Sequence, residues 1–240
     1  MIRRLGNDEL QFALPTGRLQ RRVLDLLNAA GIDIDITPRN YRPRIGVPKV
    51  AVKCLKPQSI PASISIGSRD LGFCGADWAF ESGGALVELL DTGFDPVNIV
   101  VAAPKSLLVN GKLPDRPLII ASEYQRWPQT FVNDRGLNAV LLTTRGTTEV
   151  LPPEDADLIV DNTATGATLV ANELEILEVL FRSSTRLYAN PVSLADKVKR
   201  VKIEFFVQKL RKGLTVMNAA DAANITKITN TLTPRAEAYA

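Results

Sequence analysis

The segment Asp157–Leu169 constrains the fold more than any other stretch of this chain. Leu158-Ile159-Val160 reads as a buried strand that runs straight into Asp161. A hydroxyl-rich turn with one glycine, Gly166, follows, and then a helix begins. A strand–turn–helix unit of this kind can cradle a phosphate. Backbone N–H groups of the turn and helix start face the anion, and the helix dipole adds to them. Thr163, Thr165 and Thr168 offer hydroxyl donors, and Gly166 lets the backbone approach closely. Asp161, at the strand end, suits sugar hydroxyls or a magnesium shell. The same residues also read as a strand, an Asx/Thr turn and a capped helix that bind nothing.

Strand-like and helix-like segments alternate through most of the chain, which argues for an α/β fold. Leu10–Leu14 reads as a strand before the turn Pro15-Thr16-Gly17. Arg18–Ala30 then places Leu19, Val23, Leu26 and Leu27 on one helical face, with Gly31 as its stop. Further strands are expected over Val50–Leu55, Asp70–Cys74, Ile99–Ala103, Leu118–Ser122, Ala139–Thr143, Leu158–Asp161, Glu175–Phe181 and Arg186–Ala189. Helices are expected over Ile60–Ile66, with Pro61 in the first turn, over Tyr124–Arg135 despite Pro128, and over Ser193–Leu214. The last helix carries Leu194, Val198, Val201, Phe205 and Leu210 along one side, beside many Lys and Arg. The apolar side reads as packing or a subunit contact, and the charges as a solvated face rather than an RNA surface. Thr37–Pro48 is a basic, proline-punctuated stretch with Arg39, Arg42 and Arg44. Residues 218–240 are small and polar, and their packing is open.

With 240 residues, 45% apolar and 23% charged, the chain can bury a large core, as one big domain or two small ones. A net charge of +3 is too small to imply nucleic acid and fits polyanionic small molecules. No apolar run reaches membrane-span length, and the start Met1-Ile2-Arg3-Arg4 is no signal peptide, so a cytoplasmic setting is expected. Cys54 and Cys74 are lone thiols in apolar surroundings, and nothing requires them to pair. The chain contains no histidine. That excludes Ser–His and Cys–His nucleophile pairs and imidazole zinc sites. A transfer from a good leaving group to a ready nucleophile remains well suited, since positioning and charge stabilisation then do most of the work.

The phosphate-type turn has company. Ala13-Leu14-Pro15-Thr16-Gly17-Arg18-Leu19 opens the series, followed by Gly67-Ser68-Arg69-Asp70-Leu71-Gly72-Phe73-Cys74-Gly75-Ala76-Asp77 with Glu81. Glu88–Phe94, Ala121-Ser122-Glu123-Tyr124, Gly146-Thr147-Thr148-Glu149, Ala156–Asp161 and Thr165–Leu169 come next, and Leu187-Tyr188-Ala189-Asn190-Pro191 closes it. In order and spacing these pieces resemble the ATP phosphoribosyltransferase family of histidine biosynthesis, over roughly residues 10 to 215. Two places depart from the family pattern. Thr16 stands where a lysine is usual, and Lys56-Pro57-Gln58-Ser59 replaces an Arg-x-x-Asp. Lysine keeps the charge at that position but not the bidentate fork, and Ser59 loses an orienting acid.

The resemblance implies a two-lobed α/β fold like that of type II periplasmic-binding proteins. Lobe I would hold residues 1–95 and 185–240, lobe II residues 96–184, with a substrate cleft between them. It implies a pentosyltransferase that moves phosphoribosyl from phosphoribosyl pyrophosphate to N1 of ATP and releases pyrophosphate. Asp161, with Glu149 or Asp157 assisting, would be catalytic and hold the ribose hydroxyls. Thr163, Ala164, Thr165, Gly166, Ala167 and Thr168 would hold the 5-phosphate. Gly17, Arg18, Lys56, Arg39 and Asp77 would meet ATP and phosphate, although Asp77 also reads as a helix cap and Arg39–Arg44 as a solvated loop. Mg2+ would arrive with the substrate, helped by Asp161, rather than sit in a dedicated cage. A homo-oligomer, such as a dimer, and a histidyl-tRNA-synthetase-like regulatory subunit are implied. About 50 residues follow Asn190, which favours the family's short form, although Met217-Asn218 echoes the long one.

Two other readings compete. A non-catalytic ligand-binding module on the same fold would keep a cleft, but need not keep Asp161, Glu149 and the Thr-Gly turn together. A type I phosphoribosyltransferase would normally pair two acids where this chain has Asp161-Asn162.

Overall fold

The computed structural model describes residues 9–232, with side chains through residue 222. Met1–Arg4 and the end of the 218–240 segment lie outside the described residues. In chain order the strands and helices are β1 Leu10–Pro15, α1 Arg18–Ala29, β2 Ile34–Asp35, β3 Arg44–Ile45, β4 Val50–Leu55, α2 Ile60–Ser65, β5 Leu71–Gly75, α3 Ala76–Glu81 and β6 Val87–Pro104. They continue with β7 Leu118–Ser122, α4 Arg126–Arg135, β8 Ala139–Thr143, β9 Leu158–Thr163, α5 Ala167–Ala171, β10 Leu174–Ala189, α6 Pro191–Ala195 and α7 Lys197–Leu232. Most expected elements are present. α4 accommodates Pro128 in its first turn, where a missing N–H costs little, and ends at left-handed Gly136.

The chain forms two compact units. Unit 1 takes the described residues of Met1–Phe73, Val87–Thr92 and Leu187–Ala240; unit 2 takes Cys74–Leu86 and Gly93–Arg186. The segment Cys74–Leu86, placed with the first lobe on sequence, groups with unit 2 because α3 is tied there. Asp77 accepts hydrogen bonds from Tyr124 and Ser183, and Glu81 accepts from the first N–H groups of α4.

In unit 1, β1 pairs in parallel with β4 over its whole length and with β5 at Phe12 and Ala13. α1 buries the expected face, Leu19, Val23, Leu26 and Leu27. Phe12 meets Phe73 and Phe206 edge-on, at centroid distances of 6.0 and 5.2 Å. In unit 2, β7 runs parallel to both β8 and β9, while β6 pairs antiparallel with β9. Leu118, Ile120, Leu158 and Val160 face one core with Trp127 and Phe131. Ala121 and Ile159 face the other with Leu169 and Leu174. This period-2 alternation sets the directions of the site residues below.

The expected helix from Ser193 is two helices. Asp196 is extended, at φ −73° and ψ 117°, and its carboxylate caps the N–H groups of Val198 and Lys199. The break resets the helical phase. Val198, Val201 and Phe205, expected on the packed side, are more than half exposed; Leu210 is buried as expected, and Ile203, Phe206 and Val207 join it. α7 extends to Leu232, well into the segment whose packing the sequence left open.

Candidate active site

Because β7, β8 and β9 run parallel, their carboxyl ends share one edge of unit 2, the side on which open α/β sheets bind ligands. Glu123 follows β7, the turn Thr144–Val150 follows β8, and Asp161 lies in the last half of β9, two residues before its end at Thr163. Alternation along β9 puts Asp161 on the side of Ile159 and α5, and Asn162 on the side of Val160 and the Tyr124 core.

Asp161 is held by its neighbours. Its Oδ1 accepts from the Asn162 backbone N–H at 2.7 Å and from Asn162 Nδ2 at 3.3 Å. Thr148, fully buried and hydrogen-bonded to Thr144 at 2.9 Å, donates its hydroxyl to the same carboxylate. Burial, reinforced by the charges of Glu123 and Glu149, pushes the Asp161 carboxyl up to about 6 against these hydrogen bonds. Glu149 sits half-buried on the 3₁₀ turn Thr148–Val150, close enough for its charge to act on Asp161.

The turn after β9 spends two of its own N–H groups. Thr163 Oγ1 accepts from Gly166 N–H at 2.8 Å, and Thr165 Oγ1 accepts from Ala167 N–H at 3.4 Å. Both hydroxyls therefore act as acceptors inward and keep their protons to donate outward. The N–H groups of Thr168 and Leu169, in the first turn of α5, have no partner among the described residues. Gly166 sits at φ 78°, where a side chain would be strained, and that conformation bends Ala164 and Thr165 out to solvent.

Two carboxylates expected at the site have structural partners. Asp77 is 4% exposed, and both its carboxylate oxygens are occupied, Oδ2 by Tyr124 OH at 2.8 Å and Oδ1 by Ser183 Oγ at 2.6 Å. Its carboxylate folds back so close that a Cβ at Gly75 would lie 2.2 Å from Oδ1. It braces the interior of unit 2. Asp157 is likewise committed. It takes the Arg116 guanidinium at 2.6 Å and Ile119 N–H at 2.7 Å, and the Arg116 hydrogen bond holds its carboxyl below the usual carboxylate range. Glu81 is the cap of α4, accepting from the N–H groups of Gln125, Arg126 and Trp127.

Unit 1 gathers other expected residues beyond the carboxyl ends of β1 and β4, which are paired at Pro15 and Leu55. Gly17, at φ 74°, is the N-cap of α1, and Arg18 begins that helix, exposed. Lys56, also exposed, starts the turn that leads into α2. Arg39 lines a pocket of about 390 Å³ with Thr16, Gln20, Thr37, Tyr41 and Cys54. Burial pushes the Cys54 thiol up, so it is a poor nucleophile there; Cys54 and Cys74 are both free.

Sequence reasoning missed Glu123, Tyr124, Thr148 and Asn162. Glu123 and Tyr124 lay within the Ala121–Tyr124 step, Thr148 preceded Glu149, and Asn162 followed Asp161. Strand alternation alone would have sent Asn162 toward a different partner from Asp161.

Hydroxyls and N–H groups for a phosphate, next to a carboxylate for sugar hydroxyls, place the molecule among α/β proteins that handle phosphosugars; with no histidine, transfer fits better than Ser–His hydrolysis. The profile of the ATP phosphoribosyltransferase family matches residues 56–212. An ATP phosphoribosyltransferase of Chlorobium luteolum is 33% identical over 237 residues, covering 94% of this chain and 80% of the relative. The chain belongs to the ATP phosphoribosyltransferase family. Among solved structures, a chain of the ATP phosphoribosyl transferase (HisG:HisZ) complex from Thermotoga maritima aligns with a TM-score of 0.77 and 28% identity, covering 86% of this chain and 98% of that one. A histidine kinase sensor domain with similarity to periplasmic binding proteins aligns with a TM-score of 0.52 at 8% identity, covering 92% and 95%, a likeness of fold alone. The fold is thus the periplasmic-binding-protein-like α/β type that the motifs imply.

Proposed function

We propose that this chain moves phosphoribosyl from phosphoribosyl pyrophosphate to N1 of ATP, the first step of histidine biosynthesis, with Asp161 and the turn Thr163–Thr168 as the phosphoribosyl site. The observation that carries the assignment is the meeting, at the end of β9, of a raised carboxylate with the hydroxyls and first-turn N–H groups of one turn. The acceptor nitrogen carries a lone pair, so no proton need leave before attack. The protein's task is to orient two polyanions, stabilise positive charge developing at the ribose carbon and keep water from it. Asp161 and Glu149 supply negative charge for that carbon and acceptors for the ribose hydroxyls. Gly17, Arg18, Lys56 and Arg39 are the proposed contacts of ATP and its phosphates.

Among the described residues no group of three or more acids or cysteines is arranged to hold a metal. Asp161 and the turn hydroxyls are oxygen donors, which fit a hard cation shared with a polyphosphate. Magnesium is therefore proposed to come with phosphoribosyl pyrophosphate, where it would neutralise the leaving group, and Asp161 is its candidate protein donor. Among the described residues no helix is long and apolar enough to cross a membrane. A cytoplasmic setting, a homo-oligomer and a synthetase-like regulatory subunit are part of the same proposal, the last supported by the likeness to a chain of a two-component HisG:HisZ complex.

The test is to incubate the purified chain with ATP, phosphoribosyl pyrophosphate, magnesium and pyrophosphatase, and to seek phosphoribosyl-ATP by mass spectrometry. Product is expected, from the chain alone or once a synthetase-like subunit is added; its absence in both mixtures would overturn the reading. A pH profile tests the site. Asp161 must be ionised to work, and its carboxyl titrates at about 6. The acid limb of kcat/KM is therefore expected near pH 6, above the range of an ordinary aspartate. A limb below pH 4.5 would remove Asp161 from the reacting site.

A further inference from the structure

Tyr124 has a buried hydroxyl that the reaction as described does not use. The residue is 1% exposed, with its ring 4.7 Å from that of Trp78. A phenol carries one proton, and here it goes to Asp77 Oδ2 at 2.8 Å. The oxygen's remaining capacity is to accept, and Asn162 Nδ2 fills it at 3.1 Å. Asp77 cannot turn away, because Ser183 Oγ donates to its other oxygen at 2.6 Å and accepts from the Asp77 backbone N–H at 3.1 Å.

The proton directions along this path fix the Asn162 amide. Its NH₂ group must face Tyr124 and Asp161 Oδ1, so the amide carbonyl oxygen faces away from both. That oxygen has no partner among the described residues, and the Asn162 side chain is exposed. An outward-facing acceptor beside the Asp161 carboxylate suits a sugar hydroxyl, which donates its proton to one oxygen or the other.

We propose that Asn162 is a second ribose-hydroxyl acceptor beside Asp161, and that Tyr124 is the positioning residue that holds it, through a hydrogen-bond path ending on Asp77 and Ser183. The inference rests on the phosphoribosyl site proposed above and adds to it the residues that aim it. Asn162 stands where type I enzymes place a second acid, and here a neutral amide takes the acceptor role without adding charge beside Glu123, Glu149 and Asp161.

The test uses the full chain with Tyr124→Phe, Asn162→Ala and the double variant. Binding of ribose 5-phosphate is measured by calorimetry, and KM for phosphoribosyl pyrophosphate and for ATP is measured in the product assay. Losing one hydrogen bond to the sugar is expected to weaken ribose 5-phosphate binding about tenfold in each single variant. The double variant is expected to be no weaker than Asn162→Ala, because Tyr124 acts through Asn162. KM for phosphoribosyl pyrophosphate is expected to rise with them while KM for ATP stays level. A purely structural Tyr124 would lower the folded fraction and kcat without that selectivity. Wild-type affinity in Tyr124→Phe, or losses that multiply to about a hundredfold in the double variant, would overturn the proposal. A chain that makes no phosphoribosyl-ATP yet shows the Tyr124-dependent affinity would sink the proposed reaction and leave the positioning path standing. A chain that makes product with Tyr124→Phe kinetics unchanged would do the reverse.

Discussion

Asp161→Asn is expected to cost turnover about 10²–10³-fold and, at pH 8, to make the protein more stable. The two effects share one cause. Burial, together with Glu123 and Glu149, pushes the Asp161 carboxyl up to about 6, so the folded protein holds an ionised group where ionisation is unfavourable. For a carboxyl raised on folding, the folded state binds its proton more tightly than the unfolded state does. The resulting stabilisation is full at pH values below the unfolded carboxyl's range and is lost as pH rises through about 6. Above that pH the ionised carboxylate costs the fold about 2–3 kcal/mol. Asparagine keeps the shape without the charge, so the variant should melt about 5 °C above the parent at pH 8, and the gap should close at pH 4. Thermal unfolding at the two pH values, beside the product assay, checks both halves. Equal melting temperatures at pH 8 with activity lost would mean that the carboxylate is needed but not strained. Parental activity would remove Asp161 from the chemistry. A site that gives up stability for function is the expected signature of a group placed for reaction rather than for packing.

The strands and the strand–turn–helix unit over Leu158–Ala171 are legible in the sequence because they are written locally. Leu158–Val160 is apolar without interruption, and the Thr-Gly turn has few alternative conformations. What was not legible depends on phase or on distance in the chain. The packed face of α7 departs from the expected one at Val198, Val201 and Phe205, close behind Asp196, which leaves helical geometry and breaks the count, while Leu210 is buried as expected. The polar run Arg182–Thr185 predicts a break between two strands, yet Ser183, Ser184 and Thr185 are buried within one continuous 16-residue strand, β10. Asp77 reads in the sequence as a ligand contact or a helix cap, whereas its partners, Tyr124 and Ser183, stand 47 and 106 residues away in sequence. A carboxylate in a motif looks the same on paper whether it meets a substrate or a buried hydroxyl. Only the fold separates the two.

The same ambiguity resolves in the opposite direction for Asp70, where removal is expected to cost stability rather than chemistry. Asp70 is 2% exposed and sits just ahead of β5. Its Oδ1 takes Lys199 Nζ at 2.7 Å and Ser193 Oγ at 2.5 Å, and its Oδ2 takes Gln11 N–H at 2.7 Å. One carboxylate thus joins β1, α6 and α7 within unit 1. Replacing both ends of a buried ion pair with apolar groups is often tolerated, but removing one end leaves the other charged and dry. Lys199 has only 15% of its side chain exposed, so Asp70→Ala strands an ammonium, a hydroxyl and a strand N–H together. The expected loss is about 3–5 kcal/mol, read as a lower denaturant midpoint with unchanged slope. Asp70→Ala with Lys199→Met should recover part of that loss, because the stranded charge goes with its partner. If the double variant is no more stable than Asp70→Ala, the ammonium was never the cost, and the hydroxyl and strand N–H carry it. Against a stability of about 5–15 kcal/mol for a whole domain, the single variant leaves little margin, so activity is best compared per folded molecule. Turnover unchanged on that basis would separate Asp70, which shapes unit 1, from Asp161, the proposed reacting carboxylate of unit 2.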